Sequence, residues 1–349
     1  MAKINSRLII ITRLDLNNKH DGHVVYFTEF IEDLLKNYTF KEIAIWTPNK
    51  LNFDIKGIVF YHDLPKLHSP FSLLRNVRLY FRRLKSYDVV QQWYLPRLFI
   101  LQVLLARHKK NVIVFPDSWR AYFRSKFNVE RQLSDVLRSI YYGLKEFLLS
   151  HLGSTILIAE DEAQLYNGFH IPHRILANFR EGPDRCKHVL IGRMSKSYVS
   201  QVLNNVVLKL PKVNFVMITN DDKTLTAAKN IPNLEIVESV TNYSDYSAQF
   251  KIHLIYDIYT SGMSTKFING VNTNTLVLGN SRVFRGFRSL DIPDICLYSD
   301  WKECTKHIEK ILDLESKKYI EIYDEFYSLL RIEYGERYRK EMLNKIYTQ

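Results

Sequence analysis

The chain has 349 residues, 46% hydrophobic and 13% aromatic, which excludes a disordered polypeptide and is long for a single core, so two domains are expected. Lys and Arg outnumber Asp and Glu by 49 to 37, a formal charge of +12 that directs attention to anionic partners: a phosphorylated substrate, a membrane surface or a nucleic acid. Cys186, Cys296 and Cys304 are too few and too unevenly spaced for a disulfide framework or a zinc site, and they imply a reducing compartment.

MAKINSRLIIIT runs from a basic start straight into a strand pattern, with no long apolar stretch or small-residue cleavage site, so no secretory signal is expected. Residues 94–106 are the most apolar long region, but they carry Arg97 and Gln102 and fall short of a membrane span. A cytoplasmic protein is expected, soluble or peripheral at the inner face of the cell membrane.

RLIIIT (7–12) is a continuous apolar run of strand length, as in a strand buried on both faces. A polar loop (15–22) follows, and then a helical pattern over 24–36 in which Phe27, Phe30, Ile31, Leu34 and Leu35 recur at helical spacing. Strands are expected at 41–47 and 57–62, completing a βαβ opening. Over 73–85 an apolar stripe (Leu73, Leu74, Val77, Tyr80, Phe81, Leu84) is set among Arg75, Arg78, Arg82, Arg83 and Lys85, which predicts a basic amphipathic helix. The alternation continues with YDVVQQW, a helix near 95–109, NVIVFPDSW (111–119), a long helical region over 129–152 and a strand at 155–160.

The first domain is expected to span 1–170, with a linker at 171–187 where Pro172, Gly182 and Pro183 interrupt any period. A second αβ series fills 188–320, ending with a strand at 295–300. Helix dominates 301–347, with Ile308, Ile311, Leu312, Tyr319, Ile322, Tyr323, Phe326, Leu329 and Leu330 as its buried side, and residues 321–349 form a C-terminal helical segment.

Residues 257–269 carry most of the functional signal. They read as a strand end, a turn of small residues around Gly262, and a helix starting at Ser264 or Thr265, closed by the strand LVLG (276–279). A helix amino terminus after a parallel strand favours an anion, because backbone N–H groups and the helix dipole both point there. Lys266 falls in the first helical turn, where a cation opposes the dipole unless an anion is bound. A diphosphate ligand would resolve that conflict.

This pattern, with a glycine-bearing loop after strand one and Gly192-Arg193 after the first strand of the second half, resembles the GT-B glycosyltransferases. It is most similar to the large retaining family 4, or group 1, which includes sucrose synthase and many polysaccharide-assembly enzymes. The resemblance implies an α/β chain of two Rossmann-like doubly wound domains facing a cleft, with C-terminal helices packing back across the domains. It also implies that VLIGRMSKSY (189–198) supplies Arg193 and Lys196 to the diphosphate of a nucleotide-sugar donor. Lys196 lies two positions before the usual lysine, whose place Tyr198 takes. Gly262, Met263, Ser264, Thr265 and Lys266 correspond to the family's glycine-to-lysine turn. Asn269 stands where a glutamate binds the ribose, Asn274 where a glycine is usual, and Leu276 where a proline is usual. Asp21 and Gly22 match the loop that faces acceptor and donor sugar. No cofactor and no metal are implied, since the helix terminus and basic groups neutralise the leaving diphosphate. Asp221-Asp222 and Glu160-Asp161-Glu162 are read as solvated acidic turns.

The resemblance also implies an acceptor-activating or sugar-contacting side chain on a loop after a first-domain strand, and Asp117, following NVIVFP, and His23, beside Gly22, are the candidate catalytic groups. Asp117 could equally cap the helix that begins near Ser118, and His20 or His23 could be plain loop residues. The basic helix at 73–85 has two compatible readings: packing on the first sheet, or meeting an anionic membrane through Arg75, Arg78, Arg82, Arg83 and Lys85. The expected partners are a nucleotide-sugar donor and a glycan or lipid-linked acceptor. The rivals are a basic nucleic-acid-binding protein, against which the basic residues are scattered without a recognised motif, a catalytically inactive GT-B-like protein, and an epimerase on the same fold.

Overall fold

The computed structural model describes residues 2–18, 21–52, 54–65, 70–93, 109–176, 186–192, 198–259, 262–287 and 290–348. Most of the helix expected near 95–109, with His20, Arg193 and Lys196, lies outside them. The chain divides into two units, Met1–His173 with Arg337–Gln349, and Arg174–Glu336. The last helix therefore belongs to the first unit.

In the first unit, β1 (Ala2–Thr12), β2 (Tyr38–Trp46), β3 (Ile58–Tyr61), β4 (Val89–Trp93), β5 (Lys110–Phe115), β6 (Ser154–Leu157) and β7 (Phe169–His170) form one sheet in the order β3-β2-β1-β4-β5-β6-β7. Every pairing is parallel. Leu8 to Ile11 are buried on both faces, which explains why the run reads as unbroken apolar rather than alternating. One face carries Ile9, Ile11, Ala44, Trp46 and Val90 against Tyr80 and Leu84 of α2 (Pro70–Lys85). Further along that face, Ile113, Phe115 and Leu157 meet Leu149. Trp93 points to the other face, where its ring lies 4.8 Å from Phe27 and 5.3 Å from both Tyr26 and Phe30 of α1 (Gly22–Asn37).

The helical region expected over 129–152 is two helices, α3 (Trp119–Glu130) and α4 (Leu133–Ser150). The break falls at Arg131, whose φ of 58° places it in the left-handed region, where a helix cannot continue. Next come α5 (Glu160–Leu165) and the short β7, which the sequence pattern does not reveal.

The second unit repeats the plan on a smaller scale: β8 (Cys186–Ile191), β9 (Asn214–Ile218), β10 (Leu234–Val237), β11 (Phe250–Ile255) and β12 (Leu276–Gly279), all parallel, in the order β10-β9-β8-β11-β12. Its helices are α6 (Val199–Asn205), α7 (Asp222–Ala228), α8 (Tyr243–Ser247), α9 (Thr265–Thr273), α10 (Trp301–Leu312) and α11 (Ser316–Tyr334). In both sheets the strand order reverses beside the first strand, between β1 and β4 and between β8 and β11. Open α/β sheets bind ligands at the carboxyl ends of such strands.

The strand expected at 295–300 is not formed. Asp294–Cys296 is a short 3-10 turn, and Leu297 makes a single parallel bridge to Gly279. Pro293 lacks an N–H, and Asp300 is already the amino-terminal cap of α10, accepting from Glu303 N at 2.8 Å, so no length is left for a strand. Leu329, expected on the buried side of α11, is exposed; Tyr327 is buried instead, because its hydroxyl donates to Thr275 O at 2.7 Å and accepts from Val277 N at 3.1 Å. The chain then returns to the first unit as α12 (Glu336–Tyr347), where buried Arg339 holds Asp33 at 2.6 Å. Among the described residues, no helix is long and apolar enough to cross a membrane.

Candidate functional site

Each unit carries one cluster at the carboxyl ends of its strands. In the second unit, Gly262 has φ +59°, the left-handed backbone that glycine adopts without a Cβ penalty, and this turns the chain from β11 into α9. Ser264 is the N-cap residue of α9 but makes no side-chain cap, and the first turn contains no acidic residue. Lys266 lies in that turn and folds back over the end of β8. A Cβ placed on Gly192 would come within 2.8 Å of Lys266 Cδ and 2.8 Å of His253 Nε2. Glycine at 192 is therefore what allows the lysine stem to lie against the strand end.

His253, on β11 beneath this lysine, is fully buried with Nε2 3.0 Å from Tyr243 Oη. Burial, reinforced by the Lys266 charge, pushes its pKa down to about 3, so the ring is neutral near pH 7. The floor of the cluster is uncharged and the positive charge sits at the rim. The carboxyl end of β11 is braced by Asn280 Nδ2 donating to Asp257 O at 2.7 Å, by Arg282 donating to Ile258 O, and by Tyr198 Oη donating to Tyr259 Oη at 2.7 Å. Tyr198, at the position the resemblance gives to a lysine, thus serves as a brace.

Asn269 sits one turn beyond Lys266. Its Oδ1 accepts from Ser244 Oγ at 2.7 Å and its Nδ2 donates to Ser247 Oγ at 2.6 Å, so both ends of the amide are held by α8. Asn274, where the resemblance expects glycine, has φ 56° and caps the carboxyl end of α9 in the left-handed region. Asparagine is the next most tolerant residue after glycine there. Asp221 caps α7 through Thr224 N at 3.1 Å, whereas Glu162, expected in a solvated turn, is buried because it accepts from Ser118 N, distant in the chain, at 3.3 Å.

In the first unit, Asp21 is the N-cap of α1, its carboxylate accepting from His23 N at 2.8 Å, and Gly22 is the first helical residue. His23 Nε2 lies 3.3 Å from Asp117 Oδ2, both side chains about one-third exposed. Asp117 does not cap the following helix. Ser118 does, its Oγ accepting from Ala121 N at 3.1 Å, which leaves the Asp117 carboxylate to meet His23.

The residues that follow Asp117 are anchored by a buried carboxylate outside the motif. Glu146, fully buried on α4, accepts from Trp119 N at 2.7 Å, Ser118 Oγ at 2.9 Å and Tyr166 Oη at 2.5 Å. Burial raises its pKa, and these donors oppose the rise. Glu146 and His253 escaped the sequence reading because each acts through a residue distant in the chain. Gly192 was read with Arg193, and its approach to Lys266 and His253 supplies the reason a glycine stands there.

A scan against protein-family models finds no match, and a search of curated proteins finds none. Solved structures do match over nearly the whole chain. A glycosyltransferase from Rickettsia africae has a TM-score of 0.72 at 13% identity, covering 99% of this chain and 98% of that one. The pneumococcal O-GlcNAc transferase GtfA, solved with UDP and GlcNAc, has a TM-score of 0.68 at 8% identity, covering 98% of each. WaaG, a glycosyltransferase involved in lipopolysaccharide biosynthesis, has a TM-score of 0.65 at 10% identity, covering 97% of this chain and 99% of that one. The fold is GT-B. In the GT-B frame, the His23–Asp117 pair belongs to the amino-terminal Rossmann-like unit, and the Gly192, His253 and Lys266 cluster to the carboxyl-terminal one.

Proposed function

We infer that the protein is a glycosyltransferase that uses a nucleotide-sugar donor. The observation that carries this is the cation in the first turn of α9. Lys266 is laid over a glycine strand end at the point where the sheet order reverses, above a neutral buried histidine and with no carboxylate in its helical turn. Such a lysine and the α9 amino terminus suit a diphosphate whose charge grows as the glycosidic bond breaks, without a metal ion.

In this proposal Gly262 to Thr265 bring backbone to the diphosphate, and Arg193 and Lys196 add charge to it. Asn269 and its partner Ser244 meet the nucleotide ribose, and the Asp21-Gly22 loop meets the acceptor or the donor sugar. His23 polarises the acceptor hydroxyl, and Asp117 orients and stabilises its imidazole as a proton arrives. GtfA, solved with UDP and GlcNAc, supports a uridine nucleotide as the first donor to test. Transfer with retention, to a surface polysaccharide or a lipid-linked acceptor, follows from the motif resemblance, and the exposed Arg75, Arg78, Arg82 and Lys85 suit an anionic membrane carrying that acceptor at the cytoplasmic face.

Titration calorimetry with a panel of nucleoside diphosphates tests the donor site. One nucleotide should bind, and Lys266→Ala should lower kcat/KM for its sugar by at least about tenfold, roughly 1.4 kcal/mol. Binding of none of them, together with duplex binding that weakens steeply with salt, would replace the transferase by the nucleic-acid rival.

A further inference from the structure

Helix α4 (Leu133–Ser150) is turned inside out for a helix of a globular unit. Leu133 is 78% exposed, Leu137 68%, Ile140 56% and Leu144 62%, and Phe147 and Leu148 are more than half exposed. At 100° per residue these side chains share one stripe that no charged residue interrupts, about 23 Å long. The opposite side of the helix holds the internal contacts, with Leu149 against Ile113, Phe115 and Leu157, and Glu146 buried under the start of α3. A contiguous exposed apolar stripe of this size marks a protein or membrane contact.

The charges around it select between the two. Residues 119–152 contain Arg120, Arg124, Lys126, Arg131, Arg138 and Lys145 against Glu130, Asp135 and Glu146. Asp135 and Glu146 are buried, the exposed carboxylate Glu130 lies 3.6 Å from Lys126, and Arg138 keeps 56% exposure although 3.6 Å from Asp135, so the exposed charge of these two helices is mostly arginine: Arg124, Arg131 and Arg138. A second copy on the same stripe would bring those arginines against like charges, whereas an anionic bilayer complements them.

A second helix agrees. Through Ile9, Val90, Ile113 and Phe115, which register places on one face, α2 and α4 cover the same side of the seven-stranded sheet. Exposed Arg75, Arg78, Arg82 and Lys85 on α2 flank Phe81, itself 52% exposed. Arg83 is turned back, 2.8 Å from Asp63 and with its guanidinium 3.6 Å from the centre of the Tyr61 ring, and does not contribute.

We propose that this face of the first unit docks on an anionic lipid bilayer, with the α4 stripe entering the headgroup boundary and the arginines of α3, α4 and α2 meeting lipid phosphates. It extends the membrane-facing part of the proposed function but stands on different residues. Sedimentation of the full chain with phosphatidylcholine vesicles, with and without phosphatidylglycerol, tests it. The chain should bind the mixed vesicles more tightly, with a dependence on salt. Leu137→Asp/Leu144→Asp should weaken that binding at least about tenfold, since two buried leucines are lost. Both substitutions are at exposed positions of the first unit, so its urea unfolding midpoint should stay unchanged and report an intact fold. Absence of vesicle binding, or binding that survives the leucine double variant, overturns the proposal. So does a dimer, seen by sedimentation velocity, that the double variant dissolves in a chain that ignores vesicles. Vesicle binding without nucleotide binding would leave the docking face standing and sink the transferase.

Discussion

The two units solve the same problem of presenting groups at the ends of parallel strands, but they assemble them differently. In the second unit the proposed donor site is built mainly on one short segment, Gly262 to Asn269, resting on Gly192 and His253 of the neighbouring strands, and the helix that follows the turn is itself part of that site. In the first, His23 in the first turn of α1 and Asp117 in the loop after β5 meet at 3.3 Å across the ends of two strands, and Glu146 anchors the residues that follow Asp117. The contrast is between a site carried by local backbone geometry and a site carried by tertiary packing. The first kind should tolerate distant change, and the second should not.

The largest effect should come from the buried ion pair of the first unit. Arg339→Ala leaves Asp33 buried without its partner and should cost about 3–5 kcal/mol in denaturant unfolding of that unit. Nucleotide binding by the second unit should persist below the transition. Loss of both at the same denaturant concentration would mean that the units do not unfold separately, and the contrast would break.

Acid should act next, on both units. His170 is pushed down to about 4 by burial, and His253 to about 3 by burial and Lys266. Each folded pKa lies below the ordinary 6.5, so each ring contributes stability that is present above about pH 6.5 and is lost as the pH falls towards the folded values. The slope should approach roughly 1.4 kcal/mol per pH unit for each ring. Replacing His253 by Asn should flatten only the part belonging to the second unit, measured as a urea midpoint from pH 7 to pH 4. An unchanged slope would show that His253 is not the neutral group described.

Glu146→Gln should have a smaller effect on stability, about 1–3 kcal/mol, because one amide oxygen still accepts while the amide NH2 meets donors. It should reduce turnover with no change in donor affinity, since it loosens the Ser118 and Trp119 segment next to Asp117 and touches nothing in the second unit. A change in donor Kd would blur the separation of the two sites.

These differences explain what the sequence made legible. The α9 start and the LVLG strand follow from Gly262, Ser264 and an apolar run, all local signals. The strand expected at 295–300 failed because a proline before it and a capping aspartate within it outweigh its apolar residues. Periodicity over 129–152 announced helix, yet it could not reveal the break at Arg131, since any non-glycine residue in left-handed backbone is held there by context. Nor could it show that the apolar side of α4 faces outward, because a period states which residues share a face and not what that face meets. The three-residue spacing of Asn269 from Lys266 is a local signal, but its serine partners on α8 belong to the tertiary fold.

One feature of the second sheet separates durability from activity. Tyr319 Oη donates to Lys251 O at 2.7 Å and accepts from Leu276 N at 3.1 Å, and Tyr327 makes the matching pair at Thr275 and Val277. All of these contacts lie at the starting ends of β11 and β12, while Gly192, Gly262 and Lys266 lie at the finishing ends. The phenols of α11 rivet the underside of the sheet, and the upper side is left to ligands. Substitutions on the underside should therefore act on how long the protein lasts, and those on the upper side on what it does.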